Sequence, residues 1–165
     1  MKKLIFVRHG KAEDPAAGIS DFERSLTLKG KIISRLIAKK LREKEKSQVT
    51  IISSPAFRAL ETALIFAEEF EIEPESIVIN SDIYFKMNIR HLAEILTQAG
   101  EKNNTVMLVG HNPSFTEMTN SLCNEGCDFM PKSGAIGLSF DIKSWHEIRQ
   151  KKGRREFYLK PEKDL

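Results

Sequence analysis

Long apolar runs are missing from this sequence. The first short one, Leu4-Ile5-Phe6-Val7, stops after four residues at Arg8. That is too short for the apolar region of a signal peptide and far too short for a membrane span. A cytoplasmic protein with no membrane partner is the expectation. Cysteine is scarce too, with only Cys123 and Cys127, around Asn124-Glu125-Gly126. A zinc site would need further ligands nearby and none is evident, so they read as two reduced thiols near a helix end, with a redox switch or adventitious metal as the alternative. Charge imbalance is small: 26 basic against 23 acidic residues give a net +3, which suits an anionic substrate without indicating nucleic acid. The one dense basic run, Arg149 to Arg155, has no interleaved aromatic residues for stacking bases. It reads as a solvated turn before the last strand, and no nucleic-acid partner is expected. Internal repeats, low-complexity tracts and linkers are also absent. With 165 residues, 41% hydrophobic and 30% charged, the chain reads as a single domain over 1-165.

What is present is a design used three times. Leu4 to Val7 reads as a strand buried on both faces, and it runs straight into Arg8-His9-Gly10. An arginine and a histidine thus arrive at the carboxyl end of a buried strand, where open α/β sheets keep their ligand sites. Gly10 would let the backbone turn and a ligand come close. Val49 to Ser53 leads into Ser54-Pro55-Ala56-Phe57-Arg58, and Thr105 to Val109 leads into Gly110-His111-Asn112-Pro113. In both, a small polar residue before proline predicts a helix cap followed by the first helical position. Helix starts carry free N–H groups and favour anions. Two arginines, two histidines and two helix starts on one rim predict a phosphate site.

Between these stretches lies a charged, irregular loop from Lys11 to Ser25, then a helix capped by Thr27 and running to about Lys46. Further helices are predicted from Pro55 to about Phe70, around Leu92 to Ala99 with a stop at Gly100, and after Pro113. Ile77 to Asn80, Gly134 to Asp141 and Arg155 to Leu159 read as strands, the last as an antiparallel edge. Strands alternating with helices predict an α/β fold: one three-layer α/β/α domain with a mainly parallel sheet.

The motifs Arg8-His9-Gly10, Ser54-Pro55 with Arg58, and Gly110-His111 resemble the signature of the histidine phosphatase superfamily, the phosphoglycerate mutase-like proteins. The short length, Arg24-x-Leu26-Thr27-x-x-Gly30 and Gly110-His111-Asn112-Pro113 resemble its smallest branch, the SixA-type phosphohistidine phosphatases. The resemblance spans Lys3 to about Phe140.

His9 is the candidate nucleophile. A neutral imidazole attacks phosphorus through one ring nitrogen when the other N–H is held by an acceptor, and nearby cations disfavour its imidazolium. An isolated histidine would read as structural; the adjoining arginine and matching motifs decide otherwise. Arg8 and Arg58 are candidate phosphate clamps, because phosphoryl transfer asks mainly for positioned positive charge. The resemblance implies that His111 assists the transfer. It also allows Arg24 to lie near the anion, although Arg24 reads equally well as a loop anchor paired with Asp21 or Glu23. Gly10, Lys11 and Ser133 are candidates to line the substrate pocket by nearness to the motifs. Ser54 reads as a helix cap, and His91 and His146 as structural or exposed. No metal or other cofactor is expected.

The departures from the larger relatives bear on the substrate. Those carry a glutamate that protonates the leaving oxygen, whereas the corresponding stretch here reads Asn80-Ser81-Asp82-Ile83-Tyr84-Phe85-Lys86-Met87-Asn88. Nor is there room for the helical insert that shapes their pocket. An alkoxide leaving group needs an acid, while imidazole, with a conjugate-acid pKa of about 6.5, departs far more easily. The expected activity is hydrolysis of phosphohistidine on a protein through a covalent phosphohistidine intermediate. Two alternatives stand beside it: a phosphatase for small phosphate esters with Asp82 or a lid residue as acid, and a non-catalytic module that binds a phospho-ligand or phosphoprotein.

Overall fold

A computed structural model describes residues 1–163. Strand β1 (Lys2–Arg8) is followed by the irregular segment, then α1 (Leu28–Lys44), β2 (Thr50–Ser53), α2 (Phe57–Glu69) and β3 (Val78–Ile79). After these come α3 (Ile89–Ala99), β4 (Thr105–Gly110), α4 (Ser114–Leu122), β5 (Ala135–Phe140) and β6 (Arg154–Leu159). The six strands form one sheet in the order β3-β2-β4-β1-β5-β6. β3, β2, β4 and β1 are parallel; β5 runs antiparallel to β1, and the edge strand β6 antiparallel to β5. The sheet is thus mainly parallel with an antiparallel side, as the alternation of patterns predicts.

Strand geometry sends alternate side chains to opposite faces, and β1 divides its apolar run accordingly. Leu4 and Phe6 join α3 and α4 in one core through Leu92, Leu96, Phe115 and Leu122. Ile5 and Val7 join α1 and α2 in the other through Ile37, Leu41, Ala63 and Phe66. Two helices therefore cover each face of the sheet. Among the described residues, no helix is long and apolar enough to cross a membrane.

The predicted caps are partly displaced. Thr27 caps α1 as expected, its Oγ1 accepting from the Gly30 N–H at 3.0 Å, but the helix ends at Lys44. Asn88 caps α3, and Gly100 ends it with φ 112°. By contrast α2 begins at Phe57 and α4 at Ser114, so neither Pro55 nor Pro113 occupies the first helical position. Ser54 and Asn112 spend their side chains differently. Ser54 Oγ accepts from the Ala56 N–H at 3.2 Å and also meets His111, and Asn112 Oδ1 reaches forward to the Thr116 N–H at 3.2 Å.

The orientation of β5 matters most for the site. Being antiparallel to β1, it starts where β1 ends. The Ser133 N–H is shared between the carbonyls of Arg8 and His9 at 3.1 Å each, and the Arg8 N–H donates to the Gly134 carbonyl at 3.0 Å.

Candidate active site

Register places the motifs side by side. Arg8 pairs with Gly110, and Ser53 with Val109, so three parallel strands end at one level. The His9 N–H donates to the Gly110 carbonyl at 3.0 Å and the Ser54 N–H to the Val109 carbonyl at 2.9 Å. His9, His111 and Ser54 thus follow the last paired residues of neighbouring strands, and Arg58 enters from the first turn of α2.

His9 is 7% exposed. Its Nδ1 lies 2.7 Å from the Gly10 carbonyl oxygen. A carbonyl only accepts, so this partner assigns the proton to Nδ1 and leaves Nε2 its lone pair. Burial, opposed by that hydrogen bond, and then the charges of His111, Arg58 and Arg8 push its pKa down to about 3. The sequence reading invoked the cations alone; desolvation is the larger cause. The Gly10 N–H in turn donates to Thr62 Oγ1 at 3.0 Å, and that hydroxyl donates to the Arg58 carbonyl at 2.7 Å. The residue whose carbonyl orients the nucleophile is therefore tied to the helix that carries Arg58.

The His111 ring lies 5.2 Å from that of His9, centroid to centroid, and its Nε2 is 2.8 Å from Ser54 Oγ. Burial and then Arg58 lower its pKa to about 4, with Asp21 opposing. Arg8 Nη1 donates to the Met130 carbonyl at 2.9 Å, its guanidinium packs 5.1 Å from the Phe129 ring centroid, and burial lowers its pKa. Its buried Nε makes no hydrogen bond among the described residues. Arg58 donates from Nη1 to the Asp21 carbonyl at 2.7 Å and from Nη2 to Asp21 Oδ2 at 3.0 Å. Arg8, His9, Arg58 and His111 therefore converge.

The four residues predicted to line the pocket are placed differently. Arg24 donates to the Glu13 carbonyl and to Asp21 Oδ1, each at 2.8 Å, the loop-anchor arrangement. A Cβ on Gly10 would stand 2.6 Å from Ser34 Oγ and 3.0 Å from the Gly30 carbonyl, so α1 is what crowds this glycine. Lys11 is exposed, and its carbonyl accepts from the Thr27 N–H at 2.9 Å. Ser133 is buried with φ 64°, and its hydroxyl meets Ser34 Oγ at 2.8 Å. Its N–H holds the end of β1, and its hydroxyl ties that turn to α1.

Sequence reasoning missed two side chains at the site. Asp21 was read only as a partner for Arg24, yet its carboxylate also accepts from Arg58 and, through Oδ2, from the Tyr84 hydroxyl at 2.8 Å. The Tyr84 hydrogen bond, then Arg58 and Arg24, hold it at about 2 against some desolvation. Tyr84 packs edge-on against the His111 ring, centroids 5.5 Å apart. No local pattern signals a contact across 63 residues. Asp82, from the same turn as Tyr84, is exposed. Among the described residues no three His, Cys, Asp or Glu side chains are grouped to hold a metal ion. Cys123 and Cys127 are free thiols.

This arrangement has relatives. The sequence profile of the histidine phosphatase superfamily (branch 1) matches residues 4–78, the segment that holds Arg8, His9, Ser54 and Arg58. A protein of Picosynechococcus sp. with no assigned function is 31% identical over 139 residues, covering 82% of this chain and 84% of its own. The chain belongs to the histidine phosphatase superfamily. Its structural relatives set it with the SixA-type branch. A protein of Agrobacterium tumefaciens assigned as the phosphohistidine phosphatase SixA is 26% identical with a TM-score of 0.76, covering 97% of this chain and 99% of that one. The protein histidine phosphatase SixA complexed with tungstate shares the fold, with TM-score 0.80 and 22% identity over 96% of this chain and 97% of that one. A mycobacterial glucosyl-3-phosphoglycerate phosphatase shares it at TM-score 0.70 and 14% identity, over 95% and 98% of the two chains. This histidine phosphatase superfamily member is accordingly a phosphatase.

Proposed function

We propose that residues 1-165 act as one phosphohistidine phosphatase domain that removes phosphate from a phosphorylated protein without a metal ion. The observation that carries this reading is the leaving-group side of the site. Asp82 is exposed, turned to solvent, and Asp21 is held near pKa 2 by Tyr84, Arg58 and Arg24, so Asp21 has no proton to give at neutral pH. A site without an acid favours a leaving group that departs unaided, and imidazole does so where an alkoxide does not. Similarity to proteins described as SixA supports the same reading.

His9 Nε2 attacks phosphorus while Nδ1–H stays on the Gly10 carbonyl. The new P–N bond forms as the substrate's P–N bond breaks, and the electron pair returns to the substrate ring, which is protonated on its other nitrogen and so departs as neutral imidazole. Arg58, His111 and Arg8, whose Nε–H has no partner among the described residues, meet the phosphoryl oxygens. Water then attacks phospho-His9, a P–O bond forms, the P–Nε2 bond breaks, and neutral His9 returns with inorganic phosphate. The low basicity of His9 keeps the nucleophile free of a proton throughout the neutral range.

A second reading, hydrolysis of small phosphate esters, draws on the fold shared with the mycobacterial glucosyl-3-phosphoglycerate phosphatase. The test is a side-by-side assay of a phosphohistidine protein, aryl phosphates and alkyl phosphates. Phosphohistidine and aryl substrates are expected to turn over well and alkyl phosphates poorly. Alkyl phosphates as best substrates would establish the second reading, and binding without turnover of any substrate would establish a non-catalytic module.

A further inference from the structure

Arg58 is not simply a cation near the site; its outer edge is already engaged. Nη1 and Nη2 both donate to Asp21, one to the main-chain oxygen at 2.7 Å and the other to Oδ2 at 3.0 Å. A guanidinium offers five N–H groups in a rigid plane. Fixing the two Nη atoms on one residue fixes that plane, and leaves Nε–H and the remaining Nη–H groups for a phosphoryl group. The Asp21 carboxylate is itself held from two more sides, by Arg24 on Oδ1 and by the Tyr84 hydroxyl on Oδ2, each at 2.8 Å. Tyr84 then closes the circuit by packing edge-on against His111.

We propose that Asp21 and Tyr84 are positioning residues that hold Arg58 and His111 in register with each other for phosphoryl transfer. The inference rests on the phosphatase reading of the same site, and it reaches residues in the loop and the 3-10 turn that carry none of the family's motifs. Because the Asp21 carboxylate is half exposed while Arg58 is nearly buried, the loop closes over the arginine from the solvent side. Two roles are thereby opposed. A positioning carboxylate strengthens Arg58 as an anion clamp, whereas a mere competitor for its N–H groups weakens it.

The experiment measures vanadate and inorganic phosphate binding by calorimetry, and aryl phosphate hydrolysis, for the wild type, Asp21→Ala, Asp21→Asn and Tyr84→Phe. Vanadate adopts the five-coordinate geometry of the transition state, so misaimed donors should cost it more than phosphate. For Asp21→Ala we expect vanadate affinity and kcat/KM to fall together by on the order of tenfold to a hundredfold, the worth of one charged hydrogen bond, and phosphate affinity to fall less. Asp21→Asn should recover part of the loss because its side-chain oxygen still accepts. Tyr84→Phe, which keeps the ring against His111, should show a smaller loss, and none beyond that of Asp21→Ala when the two are combined. Tighter or unchanged vanadate binding in Asp21→Ala overturns the proposal. Equal losses for vanadate and phosphate, accompanied by a lowered melting temperature, would mark a structural role and overturn it too. Calorimetry needs no turnover, so failure of the phosphatase reading in the wild type is distinguishable from failure of this one.

Discussion

Acidification should destabilise this protein through two histidines, and the size of the effect follows from the site. His9 and His111 are held at about 3 and about 4, below the ordinary 6.5. The unfolded chain therefore binds protons that the native site refuses, so stability from these groups is present above pH 6.5 and is lost as the pH falls toward their native values. Linkage sets the slope at about 1.4 kcal/mol per pH unit for each such group. Between pH 7 and pH 5 an unfolded histidine goes from mostly neutral to almost fully protonated, while both native rings remain neutral. Each then costs about 2 kcal/mol, or about 4 kcal/mol together. That is a large share of the roughly 5–15 kcal/mol that stabilises an ordinary domain. Asp21 adds no slope here, since its lowered pKa of about 2 matters only below 3.8. The assay is urea unfolding at pH 7, 6 and 5 in phosphate-free buffer, on the wild type, His9→Gln, His111→Gln and the double variant. Each substitution should remove about half of the loss, with glutamine at position 9 able to keep a donor for the Gly10 carbonyl. If the wild type loses no more stability than the double variant between pH 7 and 5, the two rings are not held neutral and the account of the nucleophile is wrong.

Other outcomes follow from the same geometry. Enzyme quenched during turnover should carry acid-labile, base-stable phosphate, and His9→Ala should carry none; label surviving in that variant would place the nucleophile elsewhere. Chelators should leave the rate unchanged, and loss on EDTA with rescue by a divalent ion would reverse the metal-independent reading. Asp82→Asn should barely alter phosphohistidine hydrolysis, because the residue is exposed; a loss on ester substrates on the order of 10²–10⁴-fold would make it a general acid. Gly10→Ala should lower stability by about 1–3 kcal/mol through overpacking, read from urea midpoints, since its Cβ would meet Ser34 Oγ at 2.6 Å and Ser133 Oγ at 3.1 Å. An unchanged midpoint would mean that α1 yields.

The strand and helix order is legible in the sequence, and so is the placing of Arg8, His9, Arg58 and His111 just past strand ends. Each lies within a few residues of a buried apolar run, and a parallel sheet brings the ends of such runs together whatever the loops do. Local chemistry was enough for Arg8, His9, Arg58 and His111 because their distance from the strand ends is set by the backbone. Local chemistry failed where partners come from far along the chain. Ser133 stands near the motifs in sequence, but the clamp its N–H makes on β1 emerges only from the antiparallel setting of β5, which shows which side of β1 it reaches. Arg24 could face an anion or a loop partner until the fold of residues 11–25 placed Asp21 beside it. Tyr84 lies two residues from Asp82, and the 3-10 turn carries its hydroxyl to Asp21 while leaving Asp82 exposed. The low pKa of His9 has the same origin. Its cations are visible in the motifs, but its largest cause is burial, and burial is a property of the whole fold packed around one ring.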